Sequence, residues 1–176
     1  RNPSLENSDY VLGYVRRQVS QDLYNKYVVD LATDLKESQQ YTLAITLLEK
    51  NKQPKSLSYY HQLSICYSTL EHHDKAVRRG EQAINCLPFE TMTSDCYSKE
   101  LVEGFCVYHT ALLAGMGLLD KAHFFYDYIV RKSHVDLRTQ IMMQEIIAFF
   151  GDFPSSRILD VFSFLIDSSH VHAIDH

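Results

Sequence analysis

Histidine can hold a metal ion or move a proton near neutral pH, and this chain carries nine. His170, His172 and His176 lie together at its end. The i,i+4 spacing of His172 and His176 would set two imidazoles on one helix face, as a zinc pair requires. Only Asp175 stands nearby as a further ligand, so a polar tail is the simpler reading. His72-His73 reads as a solvated turn between helices. No metal and no cofactor is expected.

Nucleophilic catalysis needs a Ser or Cys, a base and an orienting acid brought together. All three types occur, but without G-x-S-x-G or another local catalytic signature. Neither G-x-G-x-x-G nor G-x-x-x-x-G-K-[ST] is present to cradle a phosphate. Asp30 and Asp34 share a helix face by spacing, which a solvated acidic face explains more simply than acid/base work. Cys66, Cys86, Cys96 and Cys106 match no zinc spacing, and Cys66 and Cys106 sit in helical patterns as small apolar residues. Free thiols are expected, and with no usable N-x-[ST] acceptor an intracellular location, cytoplasmic or nuclear. The chain is expected not to be an enzyme.

The elements that would position such groups are constrained by composition. In 176 residues, 45% are hydrophobic and 22% charged, enough for one globular domain or two small ones. Six glycines and four prolines are too few for a sandwich or barrel. A net charge of −5 with only short basic pairs, Arg16-Arg17 and Arg78-Arg79, argues against nucleic acid as partner. No apolar run is long enough to span a bilayer, which takes about 18 residues or more, so no membrane association is expected. The start at Arg1 reads as that of a fragment or a processed product.

A repeat organises the chain. Asp-Lys-Ala occurs at 74–76 and at 120–122. Taking Ala76 as anchor, Tyr60, Leu63, Ser64 and Tyr67 precede it, and Ala83 and Pro88 follow. Ala122 is framed by Cys106, His109, Thr110, Leu113, Gly117, Tyr126 and Ile129. Ala44 is framed by Leu31, Ala32, Leu35, Tyr41 and Leu48, and Ser156 by Met143, Ile147, Gly151 and Phe153. The anchors lie 32, 46 and 34 residues apart, a period near 34 with one 12-residue excess. Each unit reads as two helices joined by a short turn. The anchor is small because the second helix crosses close to the first. Glycine five residues before the anchor suits a left-handed helix end, a place filled by Gly117 and Gly151 but also by Gln39 and Glu71, whose turns should be less ideal. The pattern predicts helices at 8–19, 22–37, 40–51, 55–70, 73–87, 98–116, 119–133, 136–150 and 154–167, with an inserted loop at 89–99.

These residues resemble the tetratricopeptide repeat, best from Leu57 to Pro88, with a departure at Gly80 and others at His109, Asp160 and Ser163. The resemblance implies an all-α, right-handed α-α superhelix: an N-terminal helix or cap at 1–24, four helical hairpins over 25–170, and a tail at 171–176. Glu100-Leu101-Val102-Glu103-Gly104-Phe105 further resembles such subunits of the anaphase-promoting complex.

In this family the first helices line a concave surface that takes a peptide or helix. The residues so placed are Lys26, Val29, Asp30 and Thr33; His61, Gln62 and Ile65; Val107, Tyr108, Ala111 and Ala114; and Arg138, Ile141, Met142 and Glu145. A carboxylate clamp for chaperone tails is not expected, because its places carry Asp30, Gln62 and Tyr108. Small Ala111, Ala114 and Gly115 suggest an apolar groove that admits a helix. The implied function is a protein-interaction scaffold or adaptor, its occupant a protein partner or a second copy of the chain. The alternatives are a helical repeat appended to a larger enzyme, such as a glycosyltransferase, and a small helical hydrolase or metal protein.

Overall fold

The computed structural model describes residues 12–17, 19–50, 56–87, 99–132 and 135–154. Among them every regular element is a helix: α1 (Gln21–Glu37), α2 (Tyr41–Lys50), α3 (Leu57–Thr69), α4 (His73–Ile84), α5 (Lys99–Gly115), α6 (Leu119–Arg131) and α7 (Leu137–Asp152). Residues 12–17 are helical as well. The expected helix at 154–167, its anchor Ser156 and most of the 89–99 insertion lie outside the described residues, as does the histidine-containing tail. The chain divides into two compact units, Arg1–Leu87 and Pro88–His176.

Helix starts and turns follow from local chemistry. Ser20, Ser56 and Asp136 cap α1, α3 and α7, accepting from the backbone N–H of Leu23, Tyr59 and Thr139. The second helices α4 and α6 have no side-chain cap and are entered through a tight turn instead. That turn recurs three times with one hydrogen-bond pattern. The N–H groups of Gln40, His72 and Leu118 donate to the carbonyls of Leu35, Tyr67 and Leu113, and those of Gln39, Glu71 and Gly117 to Lys36, Ser68 and Ala114. This is the Schellman motif, which requires a left-handed residue. Gln39 and Glu71 have φ of 60° and Gly117 of 72°. Two non-glycine residues are thus held in the strained turn expected of them.

Gly151 is a correction. It lies inside α7, which continues to Asp152, and Phe153 beyond it has φ of −127°. A helical glycine is disfavoured by only about 1 kcal/mol, so its presence alone does not end a helix.

Anchors Ala44, Ala76 and Ala122 are completely buried. So are Leu63, Ser64 and Met143, with Tyr60, Tyr67, Leu113 and Ile147 nearly so. In the first unit α3 packs against α1, α2 and α4; in the second, α5 packs against α6 and α7. A helix covered on several sides buries several faces. Hence α3 buries Leu57, Tyr59, Tyr60, His61, Leu63, Ser64, Cys66 and Tyr67, whereas α4 buries only the stripe Ala76, Val77, Gly80 and Ala83. No described helix is long and apolar enough to cross a membrane.

Candidate functional site

The first helices carry the expected contact residues, and each unit presents them differently. In the first unit Lys26 and Asp30 are exposed on α1, beside the exposed apolar side chains of Leu23 and Tyr27. On α3, which packs against α1, Ile65 and Gln62 are half-buried, and Gln62 Oε1 is enclosed with no hydrogen bond from any described residue. His61 is buried. Burial first, and the positive charge of Lys36 second, pull its imidazole down to about 4, so the ring is neutral at physiological pH. His61 therefore belongs to the packed side of α3 and not to an open groove, a correction of its expected place.

In the second unit Tyr108 is half-buried on α5, while Arg138 and Ile141 on α7 are exposed. Ala111 is completely buried and Ala114 is 2% exposed. The small-residue face of α5 is thus already covered by the chain, and the expected open groove over Ala111 and Ala114 is not there. Small side chains let a neighbouring backbone approach, and here the approach is internal.

Two polar clusters escaped the sequence reading. In the first unit Glu49 Oε1, on α2, accepts from the Tyr67 hydroxyl at 2.7 Å and from Arg79 at 2.8 Å. This carboxylate ties the first hairpin to both helices of the second, and Lys75 lies 5.3 Å from the Tyr67 ring centre. In the second unit Lys99 Nζ reaches Asp136 Oδ2 at 3.2 Å and Glu103 at 3.5 Å. The Thr139 backbone N–H, and then Lys99, hold the Asp136 carboxyl down at about 2. Only Asp136, three residues before Thr139 at the head of an apolar run, left a sequence signal, as a cap.

Cys66, Cys86 and Cys106 are free thiols; Cys96 lies outside the described residues. Burial pushes Cys66 up to about 11 and Cys106 up to about 12, the opposite of an activated thiolate. Among the described residues no group of three His, Cys, Asp or Glu is placed to hold a metal ion. Compared with protein-family models, with curated proteins and with solved structures, the chain finds no match.

Proposed function

We propose that this chain is a protein-interaction module, a helical-hairpin array of the tetratricopeptide kind that holds a peptide or helix against its first helices. One observation carries the reading: the same hairpin turn, with the same left-handed residue and the same buried alanine five residues on, occurs at Gln39, Glu71 and Gly117. Repetition of one packing unit builds surface and not a catalytic constellation. The accessible parts of that surface are Lys26 and Asp30 in the first unit and Arg138 and Ile141 in the second. A solvated pair of opposite charges beside Leu23 and Tyr27 suits an amphipathic helix, whose apolar side the Leu23 side chain and the Tyr27 ring would cover.

Affinity capture of cross-linked partners from source cells tests the reading, with wild type beside Lys26→Glu/Asp30→Lys. A stoichiometric protein partner is expected whose recovery falls with the double reversal, while the circular dichroism melt stays unchanged. Recovery indifferent to the reversal would overturn this use of α1.

A further inference from the structure

Helix α7 leaves one stripe uncovered. Leu137 is 70% exposed and Ile141 45% exposed, and Gln144 and Ala148 continue the same line into solvent. The spacing i, i+4, i+7, i+11 is that of a helix–helix seam. The core side of α7 is a different stripe, Met143, Ile146, Ile147 and Phe150, so the exposed one is not a fraying of the core. Arg138 and Glu145 flank the seam on one side, seven residues apart, and neither has an ion-pair partner among the described residues.

We infer that this stripe is a self-complementary contact on which a second copy of the chain lies antiparallel. The charges choose the occupant. In an antiparallel pair about a two-fold axis, each residue faces one at a fixed sum of positions, and the same patch serves both copies. An axis near the middle of the stripe sets Leu137 against the partner's Ala148 and Ile141 against the partner's Gln144. On the same axis Arg138 and the partner's Glu145 lie on the same flank two positions out of direct register, about 3 Å along the helix, which their long side chains span, and Glu145 meets the partner's Arg138 in the same way. Both flanking charges are then matched twice with no other residue needed. A parallel two-fold would carry the partner's Arg138 and the partner's Glu145 to the opposite side of the seam and leave the Arg138–Glu145 contacts unmade, so only the antiparallel arrangement pairs the charges. A one-helix contact is small for a permanent interface, so the dimer is expected to form and dissociate with concentration. The inference deepens the reading of the chain as an interaction module by naming a partner for α7, and it uses none of the residues by which that reading is tested.

Sedimentation velocity of the full chain over a concentration series, at low and at high salt, is the test. The wild type should pass from monomer to dimer with concentration, less readily at high salt. Ile141→Glu should stay monomeric with an unchanged melting temperature, since the side chain is outside the core. Arg138→Glu and Glu145→Arg should each stay monomeric alone. An equimolar mixture of the two should recover a one-to-one dimer, because the mixed pair restores both contacts, one as in the wild type and one with its signs exchanged. A wild type that remains monomeric, a dimer indifferent to Ile141→Glu, or a mixture no more associated than its components would each overturn the proposal. None of these results touches capture of a partner through Lys26 and Asp30, so the two failures are distinguishable.

Discussion

Hairpin α3–α4 and hairpin α5–α6 share one frame and fill it with different chemistry. Thirteen residues before the buried alanine, α3 carries Leu63 and α5 carries His109, and both are completely buried. The imidazole is accepted in an aliphatic position because its neighbours are aromatic. It stacks on Phe105 at 5.5 Å and meets Phe125 edge to face at 4.9 Å. One residue later, Ser64 donates across the hairpin to the anchor carbonyl of Ala76, whereas Thr110 donates within its own helix to Cys106. The turn residue is Glu71 in one and Gly117 in the other, both left-handed. What stays the same is the small anchor and the handedness of the turn. The slot between them takes whatever fills the volume, and the comparison predicts which substitutions each hairpin will resist.

The largest effect should come from that slot. Leu63→Ala removes a completely buried side chain from the helix that three others surround, and should cost about 2 to 5 kcal/mol in urea unfolding. A loss below about 1 kcal/mol would mean that the position is not the packing centre of its hairpin.

Acid should separate the two units. His61 is held at about 4 in the fold against an ordinary 6.5, so the native ring stays neutral while the unfolded chain takes up a proton. Stability is then complete above pH 6.5 and falls as pH drops towards 4, by about 3 kcal/mol in full. Asp136 adds a second loss in the same direction at lower pH: its folded carboxyl sits at about 2 against 3.8, so its contribution is present above 3.8 and lost towards pH 2. Thermal melts from pH 7 to 2 should show two declines, with His61→Gln flattening the upper and Asp136→Asn the lower. One decline, insensitive to both variants, would break the distinction between the units.

The turns should answer with opposite signs. At Gly117 an added Cβ meets nothing within 4 Å, so Gly117→Ala meets only the left-handed backbone penalty, about 1 kcal/mol. Glu71→Gly relieves the same penalty and should stabilise by up to about 1 kcal/mol, less what the freer unfolded chain takes back. Equal signs in the two denaturation curves would show that the turns are not equivalent.

Most of the helical frame was legible because a packed hairpin demands size at fixed spacing. Ala44, Ala76 and Ala122 announce the crossing points, and Leu63, Tyr67 and Met143 the faces beneath them. Spacing tells which side of a helix a residue occupies, but not what lies over that side. Ala111 and Ala114 therefore read as an open groove although the chain covers them, and His61 read as a contact residue although it is packed. Gly151 read as a turn because residue type marks only a permission, which α7 does not use. The Glu49–Arg79 pair joins residues 30 positions apart, and no periodicity reports an approach of that kind. The exposed stripe of α7 was half visible: Ile141 was singled out, but Leu137 only emerged once the core stripe was known.

The finest test of the comparison is the hydroxyl beside the slot. Ser64 Oγ donates to the Ala76 carbonyl at 2.8 Å, and the bond joins α3 to α4. Thr110 Oγ1 donates to the Cys106 carbonyl at the same distance, but that acceptor is one turn back on its own helix. Removing the first hydroxyl loosens the hairpin; removing the second leaves every inter-helix contact in place. Ser64→Ala should therefore cost about 0.5 to 1.5 kcal/mol, the net worth of a buried neutral hydrogen bond. Thr110→Val keeps the side-chain shape and should change stability by less than about 0.5 kcal/mol, because a helix carbonyl loses only an extra donor. Paired urea curves on the two variants read the difference directly. If the Thr110 variant were the more damaging, the hydroxyl at this place would serve the helix and not the hairpin, and Ser64 would be the exception to the frame rather than its rule.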